Sequence, residues 1–491
     1  MERRRASGAF KSTLAVPSNQ RQPFAYFCKA FPCQFLDEIV THTNSELKTL
    51  FKNKNPSLID YDELIHLLGI RLALTVDPKK GGLEIHWEVI GKEIEDRVIL
   101  GGDFANRFHT SLSRFQKVFQ CFNLAPKAPV TSESDKWHSV RGFFAAVNKN
   151  LDDAFSPGRV IVADEIISSW HGQSIDFDVN GAPHITKIAR KPEGIGVEMK
   201  ALADGQSCVI VSLEIQEGAE KMKHAKYTDK YNAGTASVLR LTDSANIKHS
   251  GRTVIGDSAF GSVSLVQACN NEQGLYVMAA VKTAHSFFPL SYFTKWSKEP
   301  ARKRGDCITL KSIYLDKDNK LQPIYATSWN DKKNKTIVSN CGTSNAVDPA
   351  LRSRTSTYMD KDTSVYFSKK KKKSVPRNDI VKRFHEYFGA VDINNHYRQG
   401  SIAFERGWKT KKFHHRFFMT ILGVCITNAF LMYKLEYKDT HHQIEKDMMD
   451  FTSFLDKLAY QMIFYGKFAK KNAASADLSK EGVRKKESVH V

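Results

Sequence analysis

Two short apolar runs each end on an aspartate: Val160-Ile-Val-Ala precedes Asp164, and Thr253-Val-Ile-Gly precedes Asp257. Both runs are rich in β-branched residues and bounded by turn formers, as buried strands are. Two carboxylates held within a few ångströms repel, and both stay ionised only with a cation between them. Mg2+ favours such oxygens together with substrate phosphates and water. Two ions about 3.5–4 Å apart activate an attacking oxygen and stabilise a leaving one. A third carboxylate completes such a cage. Asp392, in Phe388-Gly-Ala-Val-Asp-Ile-Asn-Asn-His-Tyr-Arg at the start of an expected helix, is the candidate. Asn395 lies about one helical turn further on the same side. There it would orient a water or the Asp392 carboxylate without carrying charge.

Elements must bring these residues together. The pattern predicts a strand over 159–164, a second over 196–203, a turn at Asp204-Gly205 and a third strand over 207–216. A helix over 229–246, a strand over 253–257, a helix over 261–271 and a strand over 275–281 follow. This order matches the ribonuclease-H-like fold, whose mixed five-stranded sheet sets the first and fourth strands side by side. Asp164 and Asp257 would then meet at the ends of neighbouring strands.

The expected class is α/β: a ribonuclease-H-like catalytic core interrupted by a β-rich insertion, with a helical N-terminal region and a helical C-terminal end. The expected segments are a basic flexible tail (1–23), a helical region (24–156), the first part of the core (157–281), the insertion (282–375), the second part of the core with the last helices (376–466) and a basic tail (467–491). The insertion is expected to end in a loose loop, Lys369 to Lys373. Phe417 to Tyr433 carries no charge. It is at the short limit of about 17–25 residues for a membrane span. Thr420, Thr427 and Asn428 within it favour a buried core helix, and no membrane is expected.

The chain has 491 residues, of which 41% are hydrophobic, which excludes a mainly disordered protein. It has 73 Lys and Arg against 53 acidic residues, a net charge of +20, which implies a polyanionic partner. Half of that excess falls in residues 361–420, with 15 basic and 5 acidic side chains. Lys369 to Lys373 suit a solvated loop with the character of a nuclear-import signal. Lys409, Lys411, Lys412 and Arg416 interleave with Trp408, Phe413 and His414, as in a surface that tracks a nucleic-acid backbone. Arg190 and Lys191, before Pro192, are further candidates for phosphate contact. Trp170 and His171 read as a core tryptophan and a surface histidine. The 8 cysteines form no Cys-x-x-Cys pair, so no zinc site is expected, and a reducing compartment fits them.

The sequence resembles the piggyBac family of DDE transposases and their transposase-derived relatives, from about Phe24 to Tyr433. Asp164-Glu-Ile-Ile-Ser-Ser-Trp-His-Gly looks like the family's first-aspartate motif. Gly256-Asp-Ser-Ala-Phe-Gly-Ser-Val-Ser-Leu is similar to the second, Tyr387-Phe-Gly-Ala-Val-Asp to the third, and Lys411-Lys-Phe-His-His-Arg-Phe-Phe to the basic segment before the last core helix. The resemblance implies an enzyme that nicks transposon ends, attacks with a 3′-hydroxyl, passes through hairpins and inserts at TTAA. It implies catalytic and metal-binding roles for Asp164, Asp257 and Asp392 on two Mg2+ (or Mn2+) ions. It also implies double-stranded DNA as partner, a homodimer and a nuclear location. Three departures stand out. Asn395 occupies a position that is commonly Asp, Phe413 replaces a Trp, and no cysteine follows Cys425 to build the family's cysteine-rich end-reading module. Two alternatives are a domesticated, catalytically inactive DNA-binding protein and a structure-specific nuclease.

Overall fold

The computed structural model describes residues 9–10, 22–94, 97–127, 135–188, 194–283, 285–359, 366–440 and 448–466. In chain order, helices α1 (Pro23–Ala30), α2 (Leu36–Leu50), α3 (Tyr61–Val76), α4 (Leu112–Cys121) and α5 (His138–Ala154) come first. Strands β1 (Val160–Ser169), β2 (Ile195–Asp204) and β3 (Ile210–Ile215) follow, then α6 (Ala233–Ser244), β4 (Thr253–Gly256), α7 (Val263–Gln273) and β5 (Tyr276–Ala280). After a short helix, Leu290–Ser297, come β6 (Cys307–Leu315), β7 (Leu321–Asn330), β8 (Asn334–Ser339), β9 (Ala346–Met359) and β10 (Tyr366–Asn378). The chain ends in α8 (Asp379–Tyr387), α9 (Ala390–His396), α10 (Phe413–Thr440) and α11 (Phe451–Ile463).

Short polar side chains start many of these helices by accepting a free backbone N–H. Asp60 accepts from Glu63 N at 2.8 Å, Asn232 from Thr235 N at 2.9 Å, Ser262 from Leu265 N at 3.0 Å, and Asn378 from Val381 N at 3.0 Å. The described residues divide into two compact units. The first takes in residues 155–166 and 198–393 with the strand Ala9–Phe10, and the second the described parts of 11–154, 167–197 and 394–491.

The first unit is built on a mixed sheet with the strand order β6-β7-β8-β5-β4-β1-β2, and β3 pairs with β2. β4 lies parallel to both β1 and β5, while β6, β7 and β8 form an antiparallel meander that joins β5 through β8. The expected insertion therefore extends the core sheet rather than forming a body of its own. β8 buries Thr336, Ile337, Val338 and Ser339 in a row, as a strand covered on both faces does, and pairs with β7 on one side and β5 on the other. Lys369 to Lys373 differ from expectation too. They lie in β10 and pair with β9, Lys369 opposite Ser356 and Lys373 opposite Arg352. A run of lysines reads as a loop from composition, but a backbone ladder needs no apolar side chain. Trp329 of β7, fully buried, donates from Nε1 to Pro376 O at 2.8 Å and fixes the base of this ribbon. Residues 1–23 are not wholly a tail, because Ala9–Phe10 pairs antiparallel with Phe155–Ser156. The tail over 467–491 lies outside the described residues.

The second unit is helical. Phe27, Phe31, Phe122, Phe143 and Phe418 pack as its aromatic core, with ring centroids 5.1 Å apart for Phe27–Phe31 and 4.8 Å for Phe122–Phe418. The uncharged stretch forms most of α10. Phe413–Lys438 is long and apolar enough to cross a membrane, but 89% of its most apolar window is buried inside the structure. The aromatic periodicity over residues 104–119 is split into Phe104–Phe108 and α4 by His109, whose φ of 54° is left-handed. A hairpin of Gly91–Ile94 with Arg97–Leu100 interrupts the expected helical region.

α3 and α11 approach closely at Gly69. A Cβ there would stand 2.7 Å from both Ile463 N and Met462 Cβ. Overpacking of this kind costs about 1–3 kcal/mol, against a helix-propensity gain of up to about 1 kcal/mol for Ala over Gly. Gly69→Ala is expected to lower Tm in a thermal denaturation, and a raised Tm would show that the two helices can part without loss.

Candidate active site

The parallel register of β1 and β4 decides where the acids meet. Val160 pairs with Thr253, Ile161 with Val254, Val162 with Ile255 and Ala163 with Gly256. The next residues along are Asp164 and Asp257. β4 ends there, but β1 runs on through Glu165-Ile-Ile-Ser-Ser to Ser169, so Asp164 lies within its strand instead of closing it. The reason is local: the residues after Asp164 are β-branched or polar strand formers, whereas Asp257 enters a turn. That turn is tight. Asp257 Oδ1 accepts from Ala259 N at 2.7 Å, and its carbonyl accepts from Gly261 N at 3.0 Å. Gly261 has no room for a side chain, since a Cβ would fall 1.8 Å from Ala280 O on β5.

The structure adds a residue that the sequence reading passed over. Carboxylate oxygens of Asp164, Glu165 and Asp257 all lie within 4.8 Å of one another, and all three residues are buried, at 4%, 1% and 5% exposure. Neighbours on a strand ordinarily point to opposite faces, so adjacency to Asp164 gives no signal for Glu165. Its extra methylene gives a glutamate the reach an aspartate lacks. Asp392 sits in the first turn of α9, as expected, but is exposed and is not a member of this group.

At an effective dielectric of about 20, each pair of carboxylates at this spacing repels by roughly 3–4 kcal/mol. Local hydrogen bonds offset only part of that; Asp164 Oδ1, for instance, accepts from Glu165 N at 2.8 Å. A divalent cation would cancel the repulsion. The donor set is wholly oxygen, with no thiolate or imidazole, and so fits Mg2+, Mn2+ or Ca2+ better than Zn2+. Beyond the Asp257 turn, Lys200 lies over the buried Phe260 ring at 5.1 Å, and Glu198 already pairs with its ammonium at 2.6 Å.

The basic segment of the helical unit is divided in its roles. Lys409 and Lys411 are exposed. Lys412 donates to Gln120 O at 2.6 Å, and burial lowers its pKa. Arg416 donates to the carbonyls of Glu405 and Trp408. His415 donates to Phe122 O at 2.8 Å, and burial pushes His414 down to about 4, so His414 is neutral near pH 7. Trp170 is buried, donates to Gln173 O at 2.9 Å and meets Phe413 edge-on at 5.8 Å, while His171 is exposed. Asn395 Oδ1 accepts from Arg398 Nη2 at 3.2 Å. Arg398 is itself paired with the buried Glu405. Arg190 and Lys191 lie outside the described residues.

A sequence profile of the family described as Transposase IS4 matches residues 22–430. Among solved structures, the chain is similar to a piggyBac transposase in a synaptic complex with hairpin DNA, seen by cryo-electron microscopy. The TM-score is 0.66 at 16% identity, over 95% of this chain and 84% of that one. No curated protein matches the sequence.

Asp257→Asn keeps the oxygen that accepts from Ala259 N–H but removes one of three clustered charges. Without divalent ions, its Tm is expected to exceed that of the unsubstituted protein. Mg2+ or Mn2+ should stabilise the unsubstituted protein, by about 2.7 kcal/mol at a hundred times Kd, and the variant far less. Equal ion-induced shifts in both proteins would show that no cation binds between these carboxylates.

Proposed function

We propose that this chain, which belongs to the Transposase IS4 family, cleaves DNA and joins strands with the help of a divalent cation. The observation that carries the reading is the buried cluster of Asp164, Glu165 and Asp257. These three would hold the ion. When bound, Mg2+ or Mn2+ supplies activation of an attacking oxygen and stabilisation of a leaving oxygen at phosphorus, and two ions are the expected number.

The chain's own residues supply position. Asp164 and Asp257 are fixed by adjacent parallel strands, so their carboxylates need no ordering when substrate arrives. Asp392 is the third catalytic carboxylate on this reading, supported by its motif and by its place in the first turn of α9. The exposed Lys409 and Lys411 track the DNA backbone. The likeness to a transposase bound to hairpin DNA supports a hairpin route, and the sequence resemblance supports TTAA targets, a homodimer and action in the nucleus. The core sheet would serve as a ribonuclease-H-like platform.

Two observations favour a second reading, a retired transposase that binds DNA without cutting it. Asp392 is not one of the three clustered acids, and Asn395 is engaged by Arg398.

The deciding experiment is cleavage of a plasmid carrying the element's own ends, in Mg2+ and separately in Mn2+. Nicking by the unsubstituted protein and its loss in Asp164→Ala are expected. Asn395→Asp is expected to preserve or raise it. Parallel loss in Asp392→Ala, with Glu165→Gln retaining activity, would assign the third role to Asp392; the reverse would assign it to Glu165. No cleavage in either ion, with activity appearing only in Asn395→Asp, would establish the retired protein.

A further inference from the structure

The helical unit contains a cavity of about 720 Å3 between α3, α4 and residues 406–412. Its lining includes Arg71, Lys79, Arg406, Lys409, Lys411 and Lys412, and among the described residues no aspartate or glutamate. Lys79 is answered by Asp77 at 3.1 Å. His415, also at the wall, is held well below the usual histidine range by burial and contributes no charge near pH 7.

Arg71 is the unusual member. It is 6% exposed, and its guanidinium carbon lies 4.7, 4.5 and 4.4 Å from the ring centres of Phe115, Phe119 and Trp408. No carboxylate pairs with it among the described residues, and its buried Nε has no hydrogen-bond partner. A buried, unpaired cation is costly. The faces of three aromatic rings offset part of that cost, but they carry no net charge to balance it. Burial alone pushes the guanidinium pKa down, to about 9, and no acid raises it. The site is thus organised around a cation whose counter-charge no described residue provides.

The same rings define the ligand. Phe115, Phe119 and Trp408 are 0%, 4% and 8% exposed, and Trp408 is stacked on His415 with centroids 5.0 Å apart. No open ring face remains on which a base could stack, so the cavity suits a tetrahedral anion and not a nucleobase. Its volume exceeds one phosphate, and Lys409 and Lys411 at its mouth are exposed, which suits a chain of phosphates better than a single free ion.

We propose that this cavity seats a backbone phosphate of bound DNA, with Arg71 as its buried counter-charge and Lys409 and Lys411 as contacts at the mouth. The choice of DNA rests on the function proposed above. Arg71 holds the phosphate through its planar fork, where a lysine would act as a point charge.

The test is fluorescence anisotropy of the full chain with a random-sequence duplex, titrated from about 50 to 200 mM salt. Arg71→Met retains an unbranched stem against the rings and removes the charge. It is expected to weaken binding roughly tenfold at low salt and to reduce the slope of log K against log salt by about one unit. Lys409→Gln with Lys411→Gln should reduce it by about two. Without DNA, the Tm of Arg71→Met should equal or exceed that of the unsubstituted protein, because a merely structural arginine would instead lose stability. Arg71→Lys should keep the slope while weakening binding. Slopes unchanged in both the Arg71→Met and the double-lysine proteins would overturn the proposal, and if Arg71→Met does not fold, an unchanged slope in the double-lysine protein overturns it alone. Inorganic phosphate at matched ionic strength raising Tm as much as the duplex does would also overturn it, in favour of a free anion. Loss of cleavage in Asp164→Ala tests the reading above and loss of slope in Arg71→Met tests this one, so the two failures are read on different proteins by different measurements.

Discussion

The parallel pairing of β1 with β4, in the register that sets Ala163 beside Gly256, is the constraint on which the candidate site depends. A shift by one residue would turn every side chain to the opposite face of the sheet. It would also break the buried apolar run Ile161, Val162, Val254 and Ile255 that holds the strands in place. Hydrophobic burial therefore forces like charges together one step further along. The sheet can bear this because the repelling groups cluster where β4 turns away, and there a cation can compensate them.

The helical unit shows the opposite electrostatic case. Arg71 is buried among aromatic rings without an acid, whereas Arg398, at 2% exposure, is paired with Glu405 and hydrogen-bonded to Ile167 O at 3.2 Å. Glu405 also accepts from Thr420, which is 2.8 Å from Ser168. The two arginines are buried to similar degrees and each has a buried Nε without a hydrogen-bond partner, but among the described residues only Arg398 is paired with a carboxylate. One closes a network within the chain, and the other lines a cavity. The second arrangement is the one that a ligand would relieve.

Asn395 gains meaning from the closed network. Its Oδ1 accepts from Arg398, whose charge Glu405 already balances. A neutral amide suits that place, since a carboxylate would add a second negative charge beside a single buried guanidinium.

Much of the fold was legible because it follows from local periodicity. The strands around Asp164 and Asp257, the meander with its turn at Asp204, and the helices over 233–244 and 263–273 all show in the spacing of apolar residues and turn formers. Less visible were the pairings. Nothing in the lysine run of β10 announces a partner strand, and nothing in β8 says that it continues the core sheet, because which edges meet is settled by nonlocal packing. The site divides in the same way. Asp164 and Asp257 as neighbours follow from sequence pattern once the strand order is assumed. Glu165 beside Asp164 and Asp257, and Arg71 near the basic segment, depend on side-chain reach and on the approach of helices far apart in the chain. The sequence by itself determined which carboxylates and cations exist and on which elements they ride. Only the tertiary structure decided which of them share a buried space, because burial and distance, rather than residue type, set how strongly charges act on one another.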